Sequence, residues 1–290
     1  MILVTGAAGK TGRAIIRALK GAGHEVRAFV GTSVALDIAG SLGADEVVIG
    51  DLRDIGVLRS AAAGVSAIYF IAPNAHAEEL AMGRNVIEAA RSVGYARLVI
   101  HSVLHPATEK MPHHWQKLRV EEAVYESGLP YTILQPAPYM QNLLAQWQTM
   151  TRESVLRQPY PVVTRLSLVD VHDVAEVAVK ALTGRGHLNA SYELSGTEPL
   201  SQTEVAAILS ERLSQKIAAK AVRASDWERG AREAGLPEYA RATLLAMFDY
   251  YAKYGLSGNP NVLRWLLGRE PTSLAAFIDR TLRERNPNLH

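Results

Sequence analysis

The first twelve residues constrain the fold more than any other stretch. An apolar run, Ile2-Leu3-Val4-Thr5, passes directly into Gly6-Ala7-Ala8-Gly9-Lys10-Thr11-Gly12, and an apolar-periodic segment follows from Arg13 to Leu19. A buried strand, a glycine turn and an amphipathic helix in that order form the βα turn on which dinucleotides bind. The glycines permit a tight turn, close approach of backbone to a pyrophosphate, and close packing of helix on strand. The helix start then presents its N–H groups and the positive end of its dipole to the phosphates. Gly6, Gly9, Thr11 and Gly12 are the expected cradle. Gly9-Lys10-Thr11 also looks like the end of a P-loop, but that motif needs a glycine where Val4 stands, so a nucleoside triphosphatase is excluded.

Strand-like runs at 2–5, 25–30, 46–50, 67–71, 97–102 and 131–134 alternate with helical patterns at 13–22, 34–42, 55–62, 78–93 and 114–126. Apolar strands alternating with helices predict an α/β fold, a Rossmann-like doubly wound parallel sheet. After Pro136 the rhythm changes. A Pro/Gln/aromatic segment leads to a strand-like stretch at 162–168, a helix at 171–182 and, from Ser201, mainly helical sequence with a short apolar piece at 217–222. The expected division is a dinucleotide-binding core over 1–150 and a smaller, mainly helical C-terminal lobe over 151–290, with about 160–200 returning to the core.

Composition narrows the function. The chain has 290 residues, 48% of them hydrophobic, and a formal net charge of +2 with acids and bases interspersed, which offers no nucleic-acid stripe and no polybasic membrane surface. The absence of cysteine removes disulfides, thiolate catalysis and cysteine metal sites. His24, His76, His172, His187 and His290 lack ligand-like spacing, so no metal is expected. Strand-like sequence begins at Ile2 and no apolar stretch spans a bilayer, which predicts a cytoplasmic protein; a small-molecule substrate is the expected partner, and a monomer or homodimer the expected state.

On such a sheet the ligand lies across the carboxyl ends of the strands. The second strand ends Phe29-Val30-Gly31-Thr32-Ser33, with neither the acid that reads the ribose of NAD nor an arginine. Thr32, Ser33 and Lys10 are the side chains placed to meet a 2′-phosphate, which favours NADP over NAD; a merely solvated Lys10 is the alternative. The third strand ends Gly50-Asp51-Leu52, assigning Asp51 and Leu52 to the adenine side and leaving Asp54 to cap the next helix. The fourth ends Ile71-Ala72-Pro73, where small residues let the backbone pass close to the ribose and nicotinamide; Pro73 as simple loop punctuation is the alternative. The fifth ends His101-Ser102, followed by His113-His114-Trp115-Gln116-Lys117.

Taken in order, Gly6 to Gly12, Gly50-Asp51-Leu52, Ser102, His113-x-x-x-Lys117, Glu121, Tyr131-Thr132-Ile133-Leu134-Gln135-Pro136, Asn142, Val169-Asp170-Val171-His172-Asp173-Val174-Ala175 and Leu267-Gly268-Arg269-Glu270-Pro271-Thr272-Ser273 resemble the NmrA-like branch of the atypical short-chain dehydrogenases/reductases. The resemblance implies bound NAD(P) and a small lobe roofing a substrate cleft. It implies Lys117 on the nicotinamide ribose, Ser102 in the catalytic group, and Pro138, Tyr139, Asn142 and Trp147 on the substrate. Packing of Trp147 and Met140 is the alternative for those two. Where ordinary members carry the tyrosine acid, this chain has His113. An imidazole can donate a proton near neutral pH, but a loop histidine without chemistry would look the same in sequence. Asp173 is expected to cap a helix or tie a loop.

The branch contains reductases of quinones, dyes and other conjugated acceptors, so the resemblance implies an NAD(P)H-dependent oxidoreductase reducing a small conjugated or carbonyl compound. A dinucleotide-sensing regulator without turnover and a redox-neutral epimerase or rearrangement enzyme are the alternatives.

Overall fold

The computed structural model describes residues 1–94 and 96–285; His290 lies outside the described residues. The chain forms two compact units. The first comprises Met1–Glu109, His113–Gln135 and Val174–Tyr192, the second Lys110–Pro112, Pro136–Asp173 and Glu193–His290. The change of unit at Gln135 comes earlier in the chain than the expected boundary at 150.

In the first unit, strands and helices alternate as β1 (Ile2–Val4), α1 (Lys10–Gly21), β2 (Val26–Val30), α2 (Val34–Ser41), β3 (Glu46–Ile49), α3 (Ile55–Ala62), β4 (Ala67–Phe70), α4 (Glu79–Ser92), β5 (Arg97–His101), α5 (Pro112–Tyr125) and β6 (Tyr131–Pro136). The seven-stranded sheet runs β3-β2-β1-β4-β5-β6 and is completed at the β6 edge by β9 (Ala190–Leu194). Pairing from β3 through β6 is parallel throughout, with Val4 opposite Ala28 on one side and Tyr69 on the other. The chain winds outward from β1 to β3, then returns to place β4 beside β1. That reversal is the switch point at which ligands bind in open α/β sheets. All four residues of β4 and all three of β1 are buried, as expected for strands covered on both faces. Leu3, Phe29, Ile68, Phe70, Leu98 and Ile100 pack with Leu58 of α3, Met82 and Val86 of α4, and Val120 of α5. Asp54 caps α3 as predicted, accepting from the N–H groups of Gly56 and Val57 at 2.9 and 3.1 Å.

The second unit contains a 3-10 helix at Met140–Gln146, then α6 (Trp147–Glu153), β7 (Val155–Gln158), β8 (Arg165–Leu166), the start of α7 (Val171–Thr183), β10 (Leu200–Ser201), α8 (Gln202–Leu213), β11 (Ala218–Ala221), α9 (Ala224–Glu233), α10 (Glu238–Tyr254), α11 (Asn261–Leu267) and α12 (Leu274–Arg285). Its core joins Met140, Leu143, Trp147, Met150 and Leu156 to Val205, Leu209, Phe277 and Ile278. The strand expected over 162–168 shrinks to Arg165–Leu166, because a turn closed by Thr164 N–H on the Pro161 carbonyl takes the first half of the run. Asp173 does not cap α7; Asp170 does, accepting from His172 N–H at 3.0 Å. Asp173 instead ties the Arg269–Thr272 loop, accepting from Thr272 N–H at 2.6 Å, its hydroxyl at 2.9 Å and Arg269 at 2.9 Å. No helix among the described residues is long and apolar enough to cross a membrane, and none of their His, Asp and Glu side chains group as a metal site.

Candidate active site

The glycine turn sits at the carboxyl end of β1. Gly6 adopts φ +58°, a conformation costly for residues with a Cβ. A Cβ on Gly12 would lie 2.7 Å from Ala7 Cα and 2.9 Å from its carbonyl carbon, so helix and turn touch backbone to backbone there. Gly9, the N-cap of α1, supplies no side-chain cap, and the first turn holds no acidic residue that would oppose an anion. Thr5, which sequence reasoning passed over, bolts the two strands flanking the switch point: its hydroxyl donates to the Ile71 carbonyl at 2.9 Å and accepts from Ile71 N–H at 2.8 Å. The cradle fits the pyrophosphate of a dinucleotide, because its small residues leave the backbone open and its helix dipole is uncompensated by any carboxylate in that turn.

Further along the strand ends the fit is looser. Thr32 and Ser33 are exposed, Ser33 preceding α2 without a side-chain cap, and Lys10 is exposed at the head of α1. Asp51 was expected to be available to adenine. Its carboxylate is already gripped by Arg53, at 2.5 Å from Nη2 and 2.8 Å from the backbone N–H, and those hydrogen bonds hold its pKa down to about 2. Arg53 also reaches Glu78 at 3.1 Å. Leu52 is buried, and its carbonyl and that of Arg53 each accept from Asn85 at 3.0 Å. Ala72 is buried and Pro73 exposed.

A cluster of buried polar side chains in the first unit lies at the carboxyl ends of β4 and β5. The residues His113, Lys117 and Glu121 recur at four-residue spacing, so α5 presents them on one buried face. Lys117 Nζ lies 2.5 Å from Glu79 Oε1 and 3.4 Å from the His101 carbonyl, and the two side chains of the ion pair are 8% and 2% exposed. Glu79 Oε2 is buried and has no hydrogen-bond partner among the described residues. His101 pairs through Nδ1 with the Tyr69 hydroxyl at 2.8 Å, and burial, assisted by the Lys117 charge, pushes its pKa down to about 3.

His113 is 8% exposed, and its Nδ1 is likewise unpartnered. Burial, then the charges of Lys117, His114 and His101, hold its pKa well below that of an ordinary histidine. At neutral pH it is an uncharged imidazole, with no imidazolium proton to give. His114, pushed down to about 4 chiefly by burial, faces the His105 carbonyl through Nδ1 at 3.2 Å.

Ser102 stands in the same cluster, but its hydroxyl is committed to Glu121, to which it donates a short hydrogen bond. Gln135 Nε2 contacts both Glu121 oxygens at 3.0 and 2.9 Å, and the Tyr125 hydroxyl reaches Oε2 at 3.3 Å. Burial still raises the Glu121 pKa. Sequence reading placed Lys117 and Ser102 here but missed Glu79, the partner of Lys117, and gave no role to Gln135, which shares Glu121 with Ser102.

The residues predicted for substrate belong to the second unit. Pro138 and Tyr139 are half-buried, and Asn142 is exposed with its N–H on the Tyr139 carbonyl at 3.0 Å. Trp147 is 5% exposed within that unit's core, with the Arg285 guanidinium 5.4 Å above its ring, so it packs the lobe. Gln141, which was not singled out, donates to Asp170 at 2.7 Å and accepts from Val171 N–H at 3.2 Å.

The profile of the NmrA-like family matches residues 1–284. An NAD(P)H azoreductase of Xenophilus azovorans is 28% identical over 278 residues, 96% of each chain. The (4-alkanoyl-5-oxo-2,5-dihydrofuran-3-yl)methyl phosphate reductase of Streptomyces griseus is 34% identical over 223 residues, 75% of each chain. Among solved structures, the NADPH-dependent quinone oxidoreductase QOR2 of Escherichia coli, complexed with NADPH, superposes with a TM-score of 0.84 at 25% identity, covering 97% of this chain and 100% of its own. NmrA, a negative transcriptional regulator solved with NAD, has a TM-score of 0.81 over 100% of this chain and 98% of its own; at 19% identity the likeness is one of fold.

Proposed function

The chain belongs to the NmrA-like family, and from that membership we propose that it is an NAD(P)H-dependent reductase of small conjugated acceptors, of the quinone, enone or azo kind. The observation that carries this reading is the glycine turn at the β1/β4 switch point, where a Cβ on Gly12 would strike backbone and no acidic side chain opposes an anion. The likeness to an azoreductase, a dihydrofuranone reductase and a quinone oxidoreductase supports a reading toward conjugated acceptors. Thr32, Ser33 and Lys10, with no acid after β2, favour NADP over NAD.

When bound, the reduced nicotinamide supplies hydride, and the protein contributes binding and orientation. Gly6, Gly9, Thr11 and Gly12 hold the pyrophosphate. Leu52, Ala72 and Pro73 line the path along the strand ends, and Asp51 contributes as half of an ion pair with Arg53. Lys117 anchors the ribose. Pro138, Tyr139 and Asn142 are assigned to the substrate, and Trp147 to packing. Ser102 acts by holding Glu121. A conjugated acceptor spreads the charge it receives, so a strong side-chain acid is less needed and solvent can deliver the proton. That fits a site in which His113 is uncharged at neutral pH. The test is oxidation of NADPH and NADH with a panel of quinones, enones and azo dyes. No turnover above background with either nucleotide overturns the reading.

A further inference from the structure

The pair formed by Lys117 and Glu79 is incomplete in a chemically specific way. An ammonium has three donors, and Lys117 uses two, toward Glu79 Oε1 and the His101 carbonyl. A carboxylate has two oxygens, and Glu79 Oε2 is buried without a hydrogen-bond partner among the described residues. One unused donor and one unused acceptor thus belong to a single buried ion pair. An orphaned buried charged oxygen costs more free energy than an orphaned neutral group, so a ligand group that satisfies it is held strongly.

Charge and valence identify that group. The pair is neutral, so it offers no net attraction to a phosphate or carboxylate, and Oε2 repels both. A ketone or quinone oxygen satisfies the lysine but cannot donate to Oε2. A hydroxyl does both, accepting from Nζ and donating to Oε2. Glu79 opens α4, the helix that follows β4 after the 71–78 segment, and His101, whose carbonyl accepts from Lys117, ends β5, so the pair stands on the same edge of the sheet as the glycine turn. Along that edge a dinucleotide carries its hydroxyls on ribose.

We infer that Glu79 is a ligand-binding residue in its own right, its free oxygen taking the hydrogen of a hydroxyl on the nicotinamide-side ribose while Lys117 donates to the same diol. This inference rests on the cofactor reading above. It adds to it a carboxylate that selects a neutral diol at the position where lysine alone would accept any anion.

The test is calorimetric titration of wild type and Glu79→Gln with NADP⁺ and with 2′,5′-ADP, which keeps the adenosine half and lacks the second ribose; NAD⁺ and ADP replace them if wild type prefers NAD⁺. The expected result is a loss of roughly tenfold or more in dinucleotide affinity, the scale of one hydrogen bond to a charged group, with 2′,5′-ADP bound within twofold of wild type. A purely structural role would move both ligands together, and equal binding of the dinucleotide by Glu79→Gln overturns the inference. If Glu79→Gln does not fold, the double variant Glu79→Leu with Lys117→Met replaces the pair by apolar groups of similar size. The same selective loss is expected of it, and unchanged dinucleotide binding overturns the inference. Failure of wild type to bind either dinucleotide overturns the cofactor reading and this inference with it, whereas wild-type binding with no effect at Glu79 removes the Glu79 assignment alone.

Discussion

Two glutamates lie almost fully buried at the strand ends of the first unit, and they are satisfied in opposite ways. Glu121, 1% exposed, is surrounded by neutral donors: Ser102 and Gln135, with Tyr125 at longer range, contact its two oxygens. Glu79, 2% exposed, has a cation on one oxygen and, among the described residues, no hydrogen-bond partner on the other. A carboxylate whose acceptor sites are all taken has no capacity left for a ligand and serves the fold. One paired through a single oxygen holds capacity in reserve, and that is the physical mark of a binding site. The contrast also explains why Ser102 reads differently in structure than in sequence, since its hydroxyl belongs to the closed cluster.

Removing the cation should separate the two most sharply. Lys117→Ala leaves Glu79 buried and uncompensated, and the expected cost is about 3–5 kcal/mol in urea unfolding. Combining Lys117→Met with Glu79→Leu should recover most of it; a Lys117→Ala protein as stable as wild type would mean that Glu79 is solvated. Next in size, Glu121→Ala strands the Ser102 and Gln135 donors at about 1–3 kcal/mol each. Its dinucleotide affinity should stay within about twofold, as expected when the lost hydrogen bonds touch no ligand. A tenfold loss of binding there would erase the distinction between the two carboxylates.

Acid should weaken the fold through the imidazoles around Lys117. His101 and His114 have folded pKa values pushed down to about 3 and about 4, and His113 is also lowered. The unfolded chain therefore takes up protons first, so this stability is intact above about pH 6.5 and lost as pH falls toward those values, by up to ~1.4 kcal/mol per pH unit for each histidine. Glu121 has the opposite sign: its raised pKa contributes stability that is complete below its unfolded value and lost as pH rises through the folded one. Thermal melts from pH 8 to 4 should show the acid fall, and Glu121→Gln should remove the loss on the rising side. A flat profile from pH 7 to 4 would contradict burial of these rings. The smallest effect belongs to His113→Phe, which should leave dinucleotide affinity and turnover within about threefold. A fall of 10²–10⁴ in turnover, the range of a general acid, would show that the histidine charges during reaction despite its burial.

Much of this was open to reading along the chain. The glycine turn, the alternation of strands and helices, and the Asp54 cap are local patterns, and each appears where spacing put it. Glu79 carried a signal as well: with Met82, Gly83, Val86, Ile87 and Ala90 it falls on the buried stripe of α4, and a carboxylate on such a stripe needs a partner. Lys117 and Glu121 occupy the buried stripe of α5 in the same way. Trp147 carried no such signal. An aromatic after a Pro-rich turn reads equally as cleft wall or core, and packing decided it.

The sequence by itself determined that a βα glycine turn opens a parallel sheet of alternating strands and helices, because propensity and periodicity are properties of neighbours in the chain. Only the tertiary structure decided which buried charge meets which. Lys117 is 38 residues from Glu79, and Ser102 is 19 from Glu121. Those partnerships follow from strand order, which sets β4 beside β5 and brings the start of α4 against the middle of α5. The free oxygen of Glu79 is likewise a tertiary fact. It exists because burial excludes water from a carboxylate whose only described cation reaches one side of it.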